Sequence, residues 1–316
     1  MHGRQISLPG GSCADGTSLR GGRCLRRRTL VPLVGAAVLV LAARRADAAV
    51  ARCGGGGVTL ALAPIEVRGD WGGSLPGAAL AVVSRARQAC LSEVRLVSDQ
   101  QPERIWVDDH SAEPPHIWLH GDGTPVAWIV VDIGPRDWSK LAYQFGHEFG
   151  HVLANSWGPE AKPANPCQWV EEAMVEAFSI RGLGLLADSW EREPPFPGDG
   201  AFGGSIRSYR DALLERYVAL GHEHKADQGL AGWFRASRGD LESSGGVGGE
   251  ARAAVPAVVA EMLAEPGGIE GLGALNRWVG RSGVPLDEYL RDWERSCGEL
   301  GASPALPVWL RGALLG

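Results

Sequence analysis

Two histidines four residues apart, His147 and His151, with Glu148 beside the first, restrict this chain more than any other feature of its sequence. On an α-helix, residues i and i+4 lie one turn apart on the same face. Both imidazoles can then aim at one point, which is what a tetrahedral zinc ion requires. Glu148 stands about 100° further round such a helix, near enough to act on a water at that point without being a ligand. The run 137–155 is therefore expected to be helical, with Tyr143, Phe145, Phe149 and Val152 as its apolar members.

After a stretch broken by Pro159, Pro163 and Pro166, the segment Trp169-Val-Glu171-Glu172-Ala-Met-Val-Glu176-Ala-Phe reads as a second helix with acids at i and i+4. His-Glu-x-x-His, a short linker, and then a helix bearing Trp-x-x-Glu-x-x-x-Glu resembles the gluzincin metallopeptidases, the thermolysin and membrane-alanyl-aminopeptidase type of zincin. The resemblance covers the residues from His147 to Glu176. It implies that Glu172 is the third zinc ligand and that Glu176 orients a ligand histidine. Glu171, about 100° from Glu172 on a helix, competes for the ligand position, while Trp169 and Glu176 fall in the family phase around Glu172. The Gly-x-Met-Glu-Asn run that reads free amino termini in the aminopeptidase branch is missing. No Gly or His follows His151 at the spacing of the metzincins.

The first 48 residues read as a leader. Arg26-Arg27-Arg28 precedes an apolar run over 30–43, and Ala46-Asp47-Ala48 invites cleavage after Ala48. The run is too short to span a bilayer comfortably. The paired arginines resemble a twin-arginine export signal, with an ordinary secretory signal as the rival and a retained anchor as a third reading. The expected location is periplasmic or secreted. Whole, the chain carries a formal charge of −6; without its leader it keeps 23 basic and 35 acidic residues, net −12. No basic stripe with interleaved aromatics is present, so nucleic acid and anionic membrane are not expected partners. An oxidising compartment favours disulfides among Cys53, Cys90, Cys167 and Cys297, and buried free thiols are the alternative.

The remaining 49–316 suits one α+β domain with a zincin-like plan. A sheet-bearing half, 49–156, has strands expected at 58–67, 104–108, 116–120 and 125–132 and a helix at 76–91. A mainly helical half, 157–316, has helices expected at 205–220, 230–237, 251–264, 269–279 and 286–297. Breaker-rich loops are expected at 189–204 and 243–249. The active-site helix joins the two halves, and strand 126–131 just before it is a candidate edge for pairing with an extended substrate.

Three protein ligands with no fourth Cys or His nearby suit an open catalytic zinc site rather than a closed structural one. Glu148 would serve as general base in hydrolysis of a peptide or protein substrate. Related enzymes donate to the oxyanion from a later Tyr or His; candidates are Tyr209, Tyr217, His222 and His224, none at a diagnostic spacing. Two other readings use the same residues. One is a zincin-fold scaffold or binding protein with a structural metal, which has no need of Glu148. The other is a zinc amidase acting on a non-peptide or cell-wall amide.

Overall fold

Ile105 and Val107 on one strand and Ala127, Ile129 and Val131 on its neighbour are alternate residues, apolar and buried, and they set the inner face of the sheet. The computed structural model describes residues 62–316, apart from 70, 72–75, 111–112, 135, 163 and 245–247. The leader, Cys53 and the start of the first expected strand lie outside the described residues. Strands β1 (Ile65–Gly69), β2 (Arg104–Asp109), β3 (His116–Ile117) and β4 (Val126–Val131) form one sheet in the order β1-β2-β4-β3. β1, β2 and β4 run parallel, and β3 is antiparallel to β4. In register, Ile105 and Ala127, then Val107 and Ile129, turn one face of the sheet into the core. The opposite face carries Trp106 and Trp128, half-buried and edge-to-face at 5.2 Å.

Helix α1 (Pro76–Cys90) makes the crossover between β1 and β2 and packs on β1. Helix α2 (Trp138–Leu153) follows β4; Asp137 caps it, its carboxylate accepting from the Lys140 amide at 3.2 Å. Helix α3 (Gln168–Arg192) is the hub of the fold, packed against α1, α2 and the later helices. Then come α4 (Phe202–Glu223), α5 (Leu230–Ser244), α6 (Gly249–Arg252) and α7 (Val255–Ala264). A 3₁₀ stretch, Pro266–Ala274, leads to α8 (Leu286–Leu300) and α9 (Ala305–Leu315). The fold is α+β, with a small mixed sheet on the N-terminal side and helices beyond it. All described residues belong to one compact unit, and among them no helix is long and apolar enough to cross a membrane.

The close approach of α2 to α3 depends on two glycines. A Cβ on Gly146 would lie 2.8 Å from Ser179 Oγ, and one on Gly150 would lie 2.7 Å from Val175 Cβ. One helical turn apart, they open a smooth strip on α2 into which α3 settles.

Several sequence expectations are corrected. Strand 126–131 is not an edge: β4 pairs with β2 along its whole length and with β3 at Ile129 and Val130. The chain folds back through 113–118, so β3 takes the edge, and the strand expected at 116–120 stops at Ile117 before a turn bonded by His120 and Asp122. The helix expected over 269–279 is instead 3₁₀ to Ala274, with Leu275 extended. Its glycines let backbone meet backbone: a Cβ on Gly273 would lie 1.8 Å from the Val97 carbonyl oxygen. The loop expected at 189–204 is shorter, because α3 continues to Arg192 and buries Trp190 against Phe196 and Phe202. Cys90, Cys167 and Cys297 are buried free thiols, each pushed up to about 12 by burial. No disulfide joins those three.

Candidate metal centre

The packing of α2 on α3 brings together His147, His151 and Glu172, with one donor atom from each within 4.8 Å of the others. Glu172 Oε2 lies 3.5 Å from His147 Nε2 and 3.5 Å from His151 Nε2. Metal bonds of about 2.0–2.1 Å in tetrahedral array would space neighbouring donors by about 3.4 Å. The spacing therefore matches three ligands of one ion. Among the described residues no fourth His, Cys, Asp or Glu joins the group, so a position is left open.

Each imidazole is held from behind. His147 Nδ1 donates to Glu176 Oε2 at 2.7 Å, and His151 Nδ1 donates to Glu171 Oε1 at 2.7 Å. With Nδ1 bonded to these carboxylates, both Nε2 atoms face the common point, and each offers a lone pair to an ion once its own proton has left. This settles the rivalry between the two adjacent acids: Glu172 faces both histidines, whereas Glu171 stands behind His151. The third acid is fixed as well, for Gln168 donates to Glu172 Oε1 at 3.2 Å and leaves Oε2 toward the histidines.

The outer carboxylates have partners of their own. Tyr143 and Tyr217 both donate to Glu176 Oε1, at 2.6 Å and 2.5 Å. Asn276 donates to Glu171 Oε2 at 2.7 Å, and Tyr289 donates to Asn276 Oδ1 at 3.3 Å. Asn276 sits at φ +59°, a left-handed conformation that asparagine tolerates better than most residues. Arg281 donates to its backbone carbonyl at 3.0 Å.

Four carboxylates, those of Glu148, Glu171, Glu172 and Glu176, are buried around two imidazoles. That surplus of negative charge in a desolvated place calls for a cation. The residues present thus fit a divalent metal ion, by donor type, spacing and charge. In the metal-free cluster the protons take that part. Burial works against a charged His147, but hydrogen bonds to Glu172 and Glu176 outweigh it and hold its pKa at about 10. His151 is raised well above its ordinary value, against burial, by Glu172 and Glu171. Burial would raise Glu172 and Glu176 too, but their histidine partners keep both low. Glu148 lacks such a direct partner, and burial lifts it above the ordinary carboxylate range.

The oxyanion candidates divide. Tyr217 is in the site, but its hydroxyl is committed to Glu176. Tyr209 packs on Tyr143, ring centroids 5.9 Å apart, one residue removed from the metal group. His222 is exposed and pairs with Asp227 at 2.8 Å, while His224 has no described bond to any residue of the metal group. Sequence reasoning missed Tyr143, Gln168 and Asn276. The first two carried a signal, lying one turn before His147 and one turn before Glu172. Asn276 carried none. The chain matches no protein-family model, no curated protein and no solved structure.

Proposed function

We propose that this chain is an exported zinc-dependent peptidase with a zincin-like fold. The observation that carries the reading is the convergence of His147 Nε2, His151 Nε2 and Glu172 Oε2 on one point, with Glu148 buried on the adjoining face of the same helix. Two imidazoles and one carboxylate in an open site are the ligand set of thermolysin-type zinc sites; the same set holds Fe(II) in non-haem oxygenases, and metal content tells the two apart.

When bound, zinc supplies a Lewis acid that brings the pKa of water to about 7. The chain's own residues do the rest. Glu171 and Glu176 keep the imidazoles in the tautomer that leaves Nε2 free. Glu148, its carboxyl raised by burial, takes the proton of the attacking water and passes it to the departing amine. β3, the antiparallel edge strand, contacts α2, and its His116 is among the charges felt by Glu148. Its outer edge is the place for an extended substrate to pair.

Elemental analysis tests the metal. The purified protein should carry about one zinc per chain, and His151→Ala should lose most of it. Equal zinc in both proteins overturns the assignment. Export is tested separately, with Arg27→Lys and Arg28→Lys together, which should trap an uncleaved precursor. Normal processing of that double variant points to the ordinary secretory route.

A further inference from the structure

The segment 276–284, between the 3₁₀ stretch and α8, lies outside every α-helix and strand, yet it reaches the supports of two metal donors. At one end Asn276 donates to Glu171, the acid behind His151. Toward the other, the Ser282 hydroxyl donates to Gln168 Oε1 at 3.3 Å. That contact decides which end of the Gln168 amide is its NH₂, and it is this end that donates to Glu172. Ser282 is itself buried and held: its hydroxyl accepts from the Ala164 amide at 3.1 Å, and its carbonyl accepts from the Cys167 amide at 2.9 Å.

Arg281 ties the two arms together. Its guanidinium donates to the Asn276 carbonyl at 3.0 Å, to the Asn155 carbonyl at 3.1 Å and to Ser156 Oγ at 2.8 Å. Asn155 and Ser156 follow the C-terminus of α2, where a cation is favoured. Glu171 is also among the charges felt by Arg281, so a fixed positive charge stands beside the crowded carboxylates. The backbone of Arg281 has a left-handed φ of +45°, which a bulky residue adopts where its contacts compel it. Between these anchors Val279 is 98% exposed, so the turn of the segment stands in solvent.

We propose that 276–284 is a strap that positions two of the three metal donors, with Arg281 and Ser282 as its positioning residues; it rests on the zinc centre of the reading above. Through Asn276 and Glu171 the strap holds the ring of His151, and through Gln168 it holds the carboxylate of Glu172. His147 is left to Glu176 and its two tyrosines. The coupling is reciprocal: an ion that fixes His151 and Glu172 also fixes the strap, and loosening this surface segment loosens the ion.

Two measurements test it. Hydrogen exchange read by mass spectrometry, with and without zinc, should show exchange in 276–284 slowed about tenfold or more by zinc, with α9 in the same digest little changed. Zinc affinity is then compared by chelator competition for wild type, Ser282→Ala and Arg281→Gly, the glycine relaxing the backbone while removing the guanidinium. Each variant should bind zinc about tenfold more weakly, and the cobalt(II)-loaded form should show an altered visible spectrum. Exchange indifferent to zinc, or wild-type affinity in both variants, overturns the strap. So does a lower melting temperature of the zinc-free variants with affinity and spectrum unchanged, which is what a structural role alone would give. If Arg281→Gly does not fold, Ser282→Ala and the exchange experiment decide. Wild type that takes up no zinc overturns the metal centre and the strap with it. Zinc uptake with protection of 276–284 but no peptide cleaved leaves the strap standing and overturns the peptidase reading alone.

Discussion

Gly150 of α2 lies so near Val175 of α3 that an added Cβ would stand 2.7 Å from the valine Cβ and 3.2 Å from its Cα. Glycine here sets the distance across which histidines on one helix meet glutamates on the other. Gly150→Ala gains helix propensity, by about 1 kcal/mol. It also overpacks the contact, at about 1–3 kcal/mol, and the backbone atom in the way makes the second effect win. The variant should melt lower and bind zinc more weakly, as read by thermal denaturation and by competition with a chromophoric chelator. Unchanged zinc affinity would mean that the helix spacing does not govern the site.

Asn276 reaches the metal group from far along the chain, and its contribution can be isolated. Asn276→Gly keeps the φ of +59° accessible while removing the donor to Glu171. Loss of such an outer contact costs about 10–100-fold in metal affinity, and chelator competition should find a drop in that range. A zinc affinity equal to wild type would show that Glu171 holds His151 without help.

The metal-free protein should respond to pH in a direction set by His147 and His151, both raised in the folded state. His147 rises from its ordinary 6.5 to about 10. Its contribution to stability is thus fully present below about 6.5 and lost as pH climbs through about 10. Zinc must displace those protons. Melting curves with and without chelator should therefore show the stabilisation by zinc growing from pH 6 to pH 9. Calorimetry at pH 7 in two buffers of different ionisation heat should show proton release on zinc binding. Binding without proton release would contradict a protonated pair.

The sequence made the site more legible than the fold around it. His147 and His151 sit at i, i+4 on one helix, so periodicity alone brings them to one face, and the resemblance supplies Glu172 on the next helix. Gly146 and Gly150 were in view inside the motif stretch, but a glycine strip gives no sign of what packs on it. Spacing alone leaves Glu171 and Glu172 open; the phase of Trp169 and Glu176 favours Glu172, which lies 3.5 Å from each histidine Nε2. Asn276 is 105 residues from Glu171, its partner, and no local pattern encodes such a contact. The 3₁₀ stretch Pro266–Ala274 was misread as α-helix for a related reason: the contact of Gly273 with Val97 is tertiary.

The most direct measurement compares wild type with Glu148→Gln for zinc content, melting temperature and hydrolysis of a mixed peptide library. Glu148 is buried beside His147 but lies outside the three-donor group, so the amide should keep both zinc and fold. It cannot accept a proton at neutral pH, and hydrolysis should fall by about 10² to 10⁴. A variant that cleaves as fast as wild type would contradict the role of Glu148 as base, and a zinc-loaded wild type that cleaves no peptide would contradict the peptidase assignment.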